Sequence, residues 1–257
     1  MIKAIVFDLD GTLYCGNKTV EGAILAVYSL INGGYRVFYL TNNSGKMRGK
    51  IVSKLQGLGF PAGLDNTYCA SYAIPKYLEE KSLAPVYVVG TFDLKCEIDL
   101  HVKTGDPHDA SAVVVGFDPD FNYQKISRAL EAIGSGAKLI VANLDPWFPA
   151  EEGKRLPGCG AMVGAIVGAT DHKPDFVVGK PNTYMPELLC REHNLLPTEI
   201  CMVGDVPESD IKTAENFGCM SILFDPENAF IPLPNRVADL REIPLLLTKK
   251  ENEHECA

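Results

Sequence analysis

No apolar run in the sequence approaches the roughly 18 to 20 residues that a membrane-spanning helix needs, and the first apolar stretch stops at Asp8, too early for a secretory leader. The expectation is a cytoplasmic protein without a membrane partner. Positive charge is also short: 24 Lys and Arg stand against 33 Asp and Glu, a formal net charge of −9. Nucleic acid is therefore a poor partner, because it binds concentrated Lys and Arg. The eight cysteines (15, 69, 96, 159, 190, 201, 219 and 256) form no CxxC pair, and the five histidines are scattered. That argues against a zinc knuckle or a thioredoxin-like motif. The thiols are expected to be reduced and mostly packed as small hydrophobes, with Cys15 set apart by its place just beyond an acidic motif. No GxxxxGK[ST] occurs, which disfavours a P-loop ATPase. The run Gly158-Cys159-Gly160-Ala161-Met162-Val163-Gly164 misses the dinucleotide fingerprint, since its third glycine falls one place late. Low-complexity tracts and internal repeats are absent, and the charged tail 249–255 is expected to fray.

What is present is a 257-residue chain, 46% hydrophobic and 22% charged, able to bury one large or two modest cores. Residues 2–7 read as a strand buried on both faces, and 21–31 as a helix that Asn32-Gly33-Gly34 stops. A second buried strand covers 35–40, followed by a helix through about 58 with Lys46, Arg48 and Lys50 near its start. Further strands are expected at 86–89, 112–115, 139–142, 176–178, 200–203 and 221–224, with helical patterns between most of them. Such alternation predicts an α/β fold, a Rossmann-like parallel sheet covered by helices.

Four of these strands end on polar chemistry. The first runs into Asp8-Leu9-Asp10-Gly11-Thr12, the second into Thr41-Asn42-Asn43-Ser44, the 176–178 strand into Gly179-Lys180-Pro181-Asn182, and the 200–203 strand into Gly204-Asp205, with Asp210 five residues on. The acid pair alone reads equally well as a turn whose carboxylates cap backbone groups. Together, four strand ends side by side at the carboxyl edge of a sheet make a site, because open α/β sheets bind ligands there. Converging Asp8, Asp10 and Asp205 would repel by about 4 kcal/mol per pair at 4 Å and an effective dielectric near 20, which a divalent cation relieves. Magnesium suits few carboxylates and an anionic substrate. Thr41 and Asn42 offer donors at a helix start, and Lys180 adds a point charge for a phosphate. One opening acid can then attack phosphorus while the other moves the proton.

This ordered set resembles the haloacid dehalogenase superfamily of phosphotransferases over residues 8 to 210. The resemblance implies that Asp8 is the nucleophile and that Asp10 is the acid/base whose backbone carbonyl touches magnesium. Thr41, Asn42 and Asn43 would hold the phosphoryl group, Lys180 would steady it, and Asp205 with Asp210 would bind the metal. An acid at position 10 points to phosphoester hydrolysis or phosphomutase chemistry rather than dehalogenation.

Thr41 lies 33 positions after Asp8, but Lys180 lies 139 positions after Thr41, against on the order of 30 for a plain crossover. A smaller inserted α/β cap is therefore expected at 79–174, with the core at 1–78 and 175–257, and its role would be a lid that selects the leaving group. A cap there looks like the class IIA branch, with its 4-nitrophenylphosphatases, phosphoglycolate phosphatases and pyridoxal phosphate phosphatases. The branch's Asn-Pro-Asp cap loop is matched by Asn143-Leu144-Asp145, with leucine for proline. Val206-Pro207-Glu208-Ser209 follows Gly204-Asp205 where the family carries Arg or Thr. Asn143, Asp145 and Trp147 are expected to bear on substrate choice, and Tyr14, Trp147 and Phe148 could stack on an aromatic leaving group. The expected function is hydrolysis of a small phosphorylated metabolite, in a chain whose relatives often dimerise through the cap. The rivals are a phosphomutase, whose known caps follow the first motif, and a receiver-type phosphoacceptor, which would be about half as long.

Overall fold

Ala4–Phe7 is rich in β-branched and aromatic side chains, and all four residues are buried, as a strand in the middle of a parallel sheet requires. The computed structural model describes residues 1–149, 154–229 and 235–248. Its strands, in chain order, are β1 (Ala4–Phe7), β2 (Tyr14–Cys15), β3 (Lys18–Thr19), β4 (Arg36–Thr41), β5 (Thr67–Cys69), β6 (Val86–Val89), β7 (Ala112–Val115), β8 (Lys138–Val141), β9 (Trp147–Pro149), β10 (Arg155–Pro157), β11 (Phe176–Val177), β12 (Ile200–Gly204), β13 (Met220–Phe224) and β14 (Arg236–Val237). The helices are α1 (Ala23–Asn32), α2 (Arg48–Gly57), α3 (Ala70–Glu80), α4 (Phe92–Asp99), α5 (Tyr123–Gly134), α6 (Cys159–Thr170), α7 (Tyr184–His193) and α8 (Lys212–Phe217). The chain divides into two units, one of Met1–Thr41, Val52–Tyr68 and Pro186–Ala257, the other of Asn42–Ile51 and Cys69–Met185.

The first unit holds a six-stranded sheet in the order β14-β13-β12-β1-β4-β5. β1 pairs in parallel with β12 and β4, so that Ile5 lies opposite both Cys201 and Val37. From β1 the chain steps outward to β4 and β5 on one side and later to β12, β13 and β14 on the other. The carboxyl ends of β1 and β12 therefore flank a topological switch point. Helix α1 buries Ala23, Ala26, Val27 and Leu30, the i, i+3, i+4, i+7 stripe of an amphipathic helix. A two-stranded hairpin, β2 with β3, follows the first motif.

The second unit holds a parallel sheet in the order β11-β8-β7-β6, with Val113 opposite both Tyr87 and Leu139. Of its central strands, β7 is apolar and buried throughout and β8 is so after Lys138, and β9 and β10 form a separate antiparallel hairpin. The expected α/β class with a parallel sheet is what the chain adopts. One expectation about strand placement fails: β11, which leads to Lys180, does not join β1, β4 and β12. Phe176 pairs with Ile140 and Val177 with Val141 instead. The Phe176 ring stacks on Tyr77 at 4.0 Å, and the Asp175 carboxylate accepts from the Leu139 backbone N–H at 2.8 Å and Lys138 Nζ at 3.0 Å, which fixes that register.

Of the described cysteines, Cys69, Cys159, Cys190 and Cys201 are buried and Cys15 is exposed, and all are free thiols. Burial pushes the Cys159 thiol up to about 12, as befits an inert core group. Among the described residues no helix is long and apolar enough to cross a membrane. Cys256 and the tail 249–255 lie outside the described residues.

His193, in the first unit, illustrates how the sheet edge is tied to its surroundings. Its ring packs 4.6 Å from Phe38, Nδ1 lies 2.6 Å from Arg36 Nη2, and Nε2 lies 2.9 Å from the Asp65 carbonyl. Guanidinium only donates, so Nδ1 must accept and Nε2 must carry the proton. Burial, then the Arg36 charge, holds His193 below its ordinary value. The unfolded chain thus takes up a proton first as pH falls, so the stability contribution is complete above about pH 6.5 and is lost as pH drops toward the depressed folded value. In urea denaturation between pH 7.5 and 5.5, the wild-type protein should lose stability more steeply than His193→Gln; parallel curves would show that His193 is not the group responsible.

Candidate active site

Asp8 continues directly from β1, its backbone N–H donating to the Val203 carbonyl of β12 at 2.8 Å. That hydrogen bond sets it beside Asp205, the first residue after β12. Asp210 comes back to the same place because residues Pro207–Ile211 form a single π-helical turn, a wide turn often found at functional sites. One carboxylate oxygen each from Asp8, Asp205 and Asp210 lies within 4.8 Å of the other two. Asp210 is buried and its Oδ2 accepts from the Val206 backbone N–H at 3.0 Å, while Thr12 Oγ1 donates to Asp205 Oδ1 at 2.8 Å. Two glycines make the crowding possible. A Cβ at Gly11, whose φ is +100°, would overlap the Asp205 carboxylate, and one at Gly204 would overlap the Asp210 side chain.

The Asp10 side chain goes elsewhere. Its Oδ2 accepts from the Tyr14 hydroxyl at 3.1 Å, Lys54 Nζ lies 3.9 Å from its Oδ1, and the same ammonium sits 3.7 Å from the Tyr14 ring centroid. Burial, then the negative charge of Asp10, pushes the Tyr14 phenol far up, so it acts as a donor only. The acids that come together are thus Asp8, Asp205 and Asp210, with the Asp10 carboxylate held apart. Thr41, also in this unit, is buried at the end of β4.

In the second unit, Asn42 is the centre of a polar network. Its Oδ1 accepts from the Lys180 backbone N–H at 2.8 Å, and its Nδ2 donates to Asp145 Oδ2 at 3.0 Å and the Lys180 carbonyl at 3.2 Å. Asn143 Nδ2 donates to the Asn42 carbonyl at 2.8 Å, and Asn143 Oδ1 accepts from the Asp145 N–H at 3.1 Å. Lys180 is buried. Sequence reasoning picked all four residues without foreseeing that they hold one another. Asn43 instead closes a local turn by accepting from the Gly45 N–H at 3.0 Å. Arg48 lies on the Tyr72 ring at 3.6 Å.

Two family models match the chain, a haloacid dehalogenase-like hydrolase model over residues 5–101 and a HAD-hydrolase-like model over residues 177–227. Phosphoglycolate phosphatase 1A, chloroplastic, from Arabidopsis thaliana is 33% identical over 247 residues, covering 86% of this chain and 68% of the relative. The chain belongs to the haloacid dehalogenase-like hydrolases. Among solved structures, a p-nitrophenyl phosphatase from Archaeoglobus fulgidus superposes with a TM-score of 0.88 at 25% identity over 95% of this chain and 99% of its own. Glycerol phosphate phosphatase Rv1692 from Mycobacterium tuberculosis, in complex with magnesium, gives 0.83 at 28% identity over 93% and 76%. The motif-based resemblance, class IIA branch included, is borne out, and this HAD-like hydrolase is a phosphoric monoester hydrolase.

Three hard carboxylates, brought together where two glycines make room for them, fit a magnesium ion, which prefers a few protein oxygens and keeps the rest for water and phosphate. The sequence had flagged all three of these acids in this HAD-like hydrolase. It gave no sign of Lys54, because 44 residues separate Lys54 from Asp10 and only the path of α2 relates them. Thr12 and Gly204 stood inside quoted motifs, but their roles, donor and close approach, are visible only in three dimensions.

The overlap at Gly11 is testable against a neighbour. Gly16 also has a positive φ, +59°, but a Cβ there meets nothing within 4 Å. Gly16→Ala should cost about 1 kcal/mol in urea denaturation, the left-handed strain alone, and Gly11→Ala about 3 kcal/mol. Equal losses would mean that the Asp205 carboxylate yields without cost.

Proposed function

We propose that this phosphatase hydrolyses small phosphate monoesters through an aspartyl phosphate on Asp8, with magnesium held by Asp8, Asp205, Asp210 and the backbone carbonyl of Asp10. The observation that carries the reading is the grouping of Asp8, Asp205 and Asp210 at the β1/β12 switch point with the Asp10 carboxylate held apart. Magnesium would supply charge neutralisation for the acids and for a bound phosphoryl oxygen. Asp8 attacks phosphorus in line, forming an acyl phosphate as the ester P–O bond breaks. Asp10 delivers its proton to the leaving oxygen, then removes one from the water that attacks the acyl phosphate, freeing Asp8 and inorganic phosphate. Thr41 and Asn42 bind phosphoryl oxygens and Lys180 offsets their charge. Asn143 and Asp145 act on Asn42: Asp145 accepts from its side-chain amide and Asn143 donates to its backbone carbonyl, which holds Asn42 in one orientation.

Residues 79–174 are the cap, and within it Trp147 and Phe148 are exposed and bear on the choice of leaving group. The substrates named for relatives, phosphoglycolate and glycerol phosphate, support a substrate among small phosphorylated metabolites. A homodimer formed through the cap is part of the same reading, as is a cytoplasmic location.

With 4-nitrophenyl phosphate in magnesium, Asp8→Asn should lower turnover by more than about 10³-fold and Asp10→Asn by about 10²-fold or more, and chelation should abolish activity until magnesium is restored. Undiminished Asp8→Asn turnover would overturn the nucleophile assignment. Across a panel of phosphate esters, Trp147→Ala should change relative rates, whereas Asn143→Ala should lower all of them together; the reverse pattern would move substrate selection from the aromatic loop to the Asn42 network.

A further inference from the structure

Asp10 stands apart from the group formed by Asp8, Asp205 and Asp210. Each of its two carboxylate oxygens faces a different partner, Oδ2 the Tyr14 hydroxyl at 3.1 Å and Oδ1 the Lys54 ammonium at 3.9 Å. The two partners are fastened to each other, with Lys54 Nζ 3.7 Å above the Tyr14 ring, close enough for a cation–π contact. Tyr14 is itself fixed: it is 2% exposed, begins the β2–β3 hairpin, and its carbonyl accepts from the Gly11 N–H at 2.8 Å. The Asp10 side chain is about half exposed, so packing alone does not set its rotamer. Without two anchors a short acid chain would be free to turn toward a cation held by its neighbours, where it would serve as a further ligand and not as a proton carrier.

We propose that Tyr14 and Lys54 are positioning residues that hold the Asp10 carboxylate in the orientation used for proton transfer, with Lys54 acting both on the carboxylate and on the Tyr14 ring. This rests on the reading of Asp10 as the acid/base. The chemistry gives it a specific signature. A nitrophenolate leaves without receiving a proton, whereas an alkoxide does not, so misplacing the acid harms alkyl esters far more than aryl esters. The ratio kcat/KM reports steps up to departure of the leaving group, and the later use of Asp10 as a base does not enter it.

The experiment compares kcat/KM for 4-nitrophenyl phosphate and ethyl phosphate, in magnesium, for wild type, Lys54→Met, Lys54→Arg, Tyr14→Phe and Asp10→Asn, with thermal unfolding of each. Lys54→Met and Tyr14→Phe should lower the ethyl phosphate value by about 10-fold or more and the nitrophenyl value by less than about 3-fold. Lys54→Arg, which keeps the cation over the ring, should recover most of the loss. Adding Lys54→Met to Asp10→Asn should change nothing further, because the group being positioned is gone. Equal losses on both esters, or an undiminished ethyl phosphate rate in Lys54→Met protein, would overturn the proposal. Failure of the acid/base reading looks different, since Asp10→Asn itself would then show no preference between the two esters.

Discussion

Three carboxylate oxygens within 4.8 Å of one another, one of them on a buried side chain, are an arrangement that the chain can maintain only by continuous local support. At about 4 Å and an effective dielectric near 20, each like-charge pair costs about 4 kcal/mol, comparable with a large share of a domain's whole stability. The backbone of the first unit is shaped around that repulsion. β1 and β12 must pair in the register that sets Asp8 beside Asp205, Thr12 must donate to Asp205, and the π-helical turn must bring Asp210 back under a backbone N–H. Glycines stand at 11 and 204 because side chains there would occupy the space of the carboxylates themselves. A fold under no chemical demand would place hydrophobes at these strand ends, which is why the arrangement argues for a divalent cation.

The same unit shows how one residue type is given separate duties by its surroundings. Asp8 and Asp10 are two positions apart, yet one stands with two other acids and the other between a phenol and an ammonium. Environments that differ this much are how acid and base assignments are divided in enzymes that use carboxylates for more than one purpose. In the second unit the demand is on hydrogen-bond geometry. Asn42 accepts through Oδ1 and donates through Nδ2, a combination that neither aspartate nor leucine can supply, and its own carbonyl is held by Asn143. Asp145 is therefore bound into the support of Asn42, whatever it also does toward a ligand.

Much of this was legible in the sequence because strand ends carry their chemistry next to strong local signals. Residues 4–7 and 200–203 are apolar runs that a covered parallel sheet accommodates, and the polar residues follow at once, so finding the strand finds the site. β11 was recognised as a strand but given the wrong neighbours, because a two-residue strand carries no information about its partner; the stacking of Phe176 on Tyr77 decides it, and that contact joins positions 99 residues apart. β5 and the two hairpins were missed for the related reason that two or three residues are too few to show alternation. Lys54 was invisible on different grounds. In α2 it looks like any cation on a helix, and only its approach to Tyr14 and Asp10 separates it from Lys50, which pairs with Asp93.

The groups proposed to do chemistry and those proposed to choose a substrate are built in opposite ways. Asp210 and Lys180 are buried and Asp205 and Asn42 are tied by hydrogen bonds, so any change there propagates through partners that cannot re-satisfy themselves. Leu144, Trp147, Phe148 and Leu156 are exposed, and the Trp147 ring is met by the Arg155 guanidinium at 3.9 Å, an interaction that many other side-chain pairs could replace. Substitution in the first set is constrained by charge and donor count, but in the second only by bulk and apolar character. In the proposed reading the leaving group meets that exposed loop, so relatives named for phosphoglycolate, glycerol phosphate and nitrophenyl phosphate can share one phosphoryl-transfer apparatus.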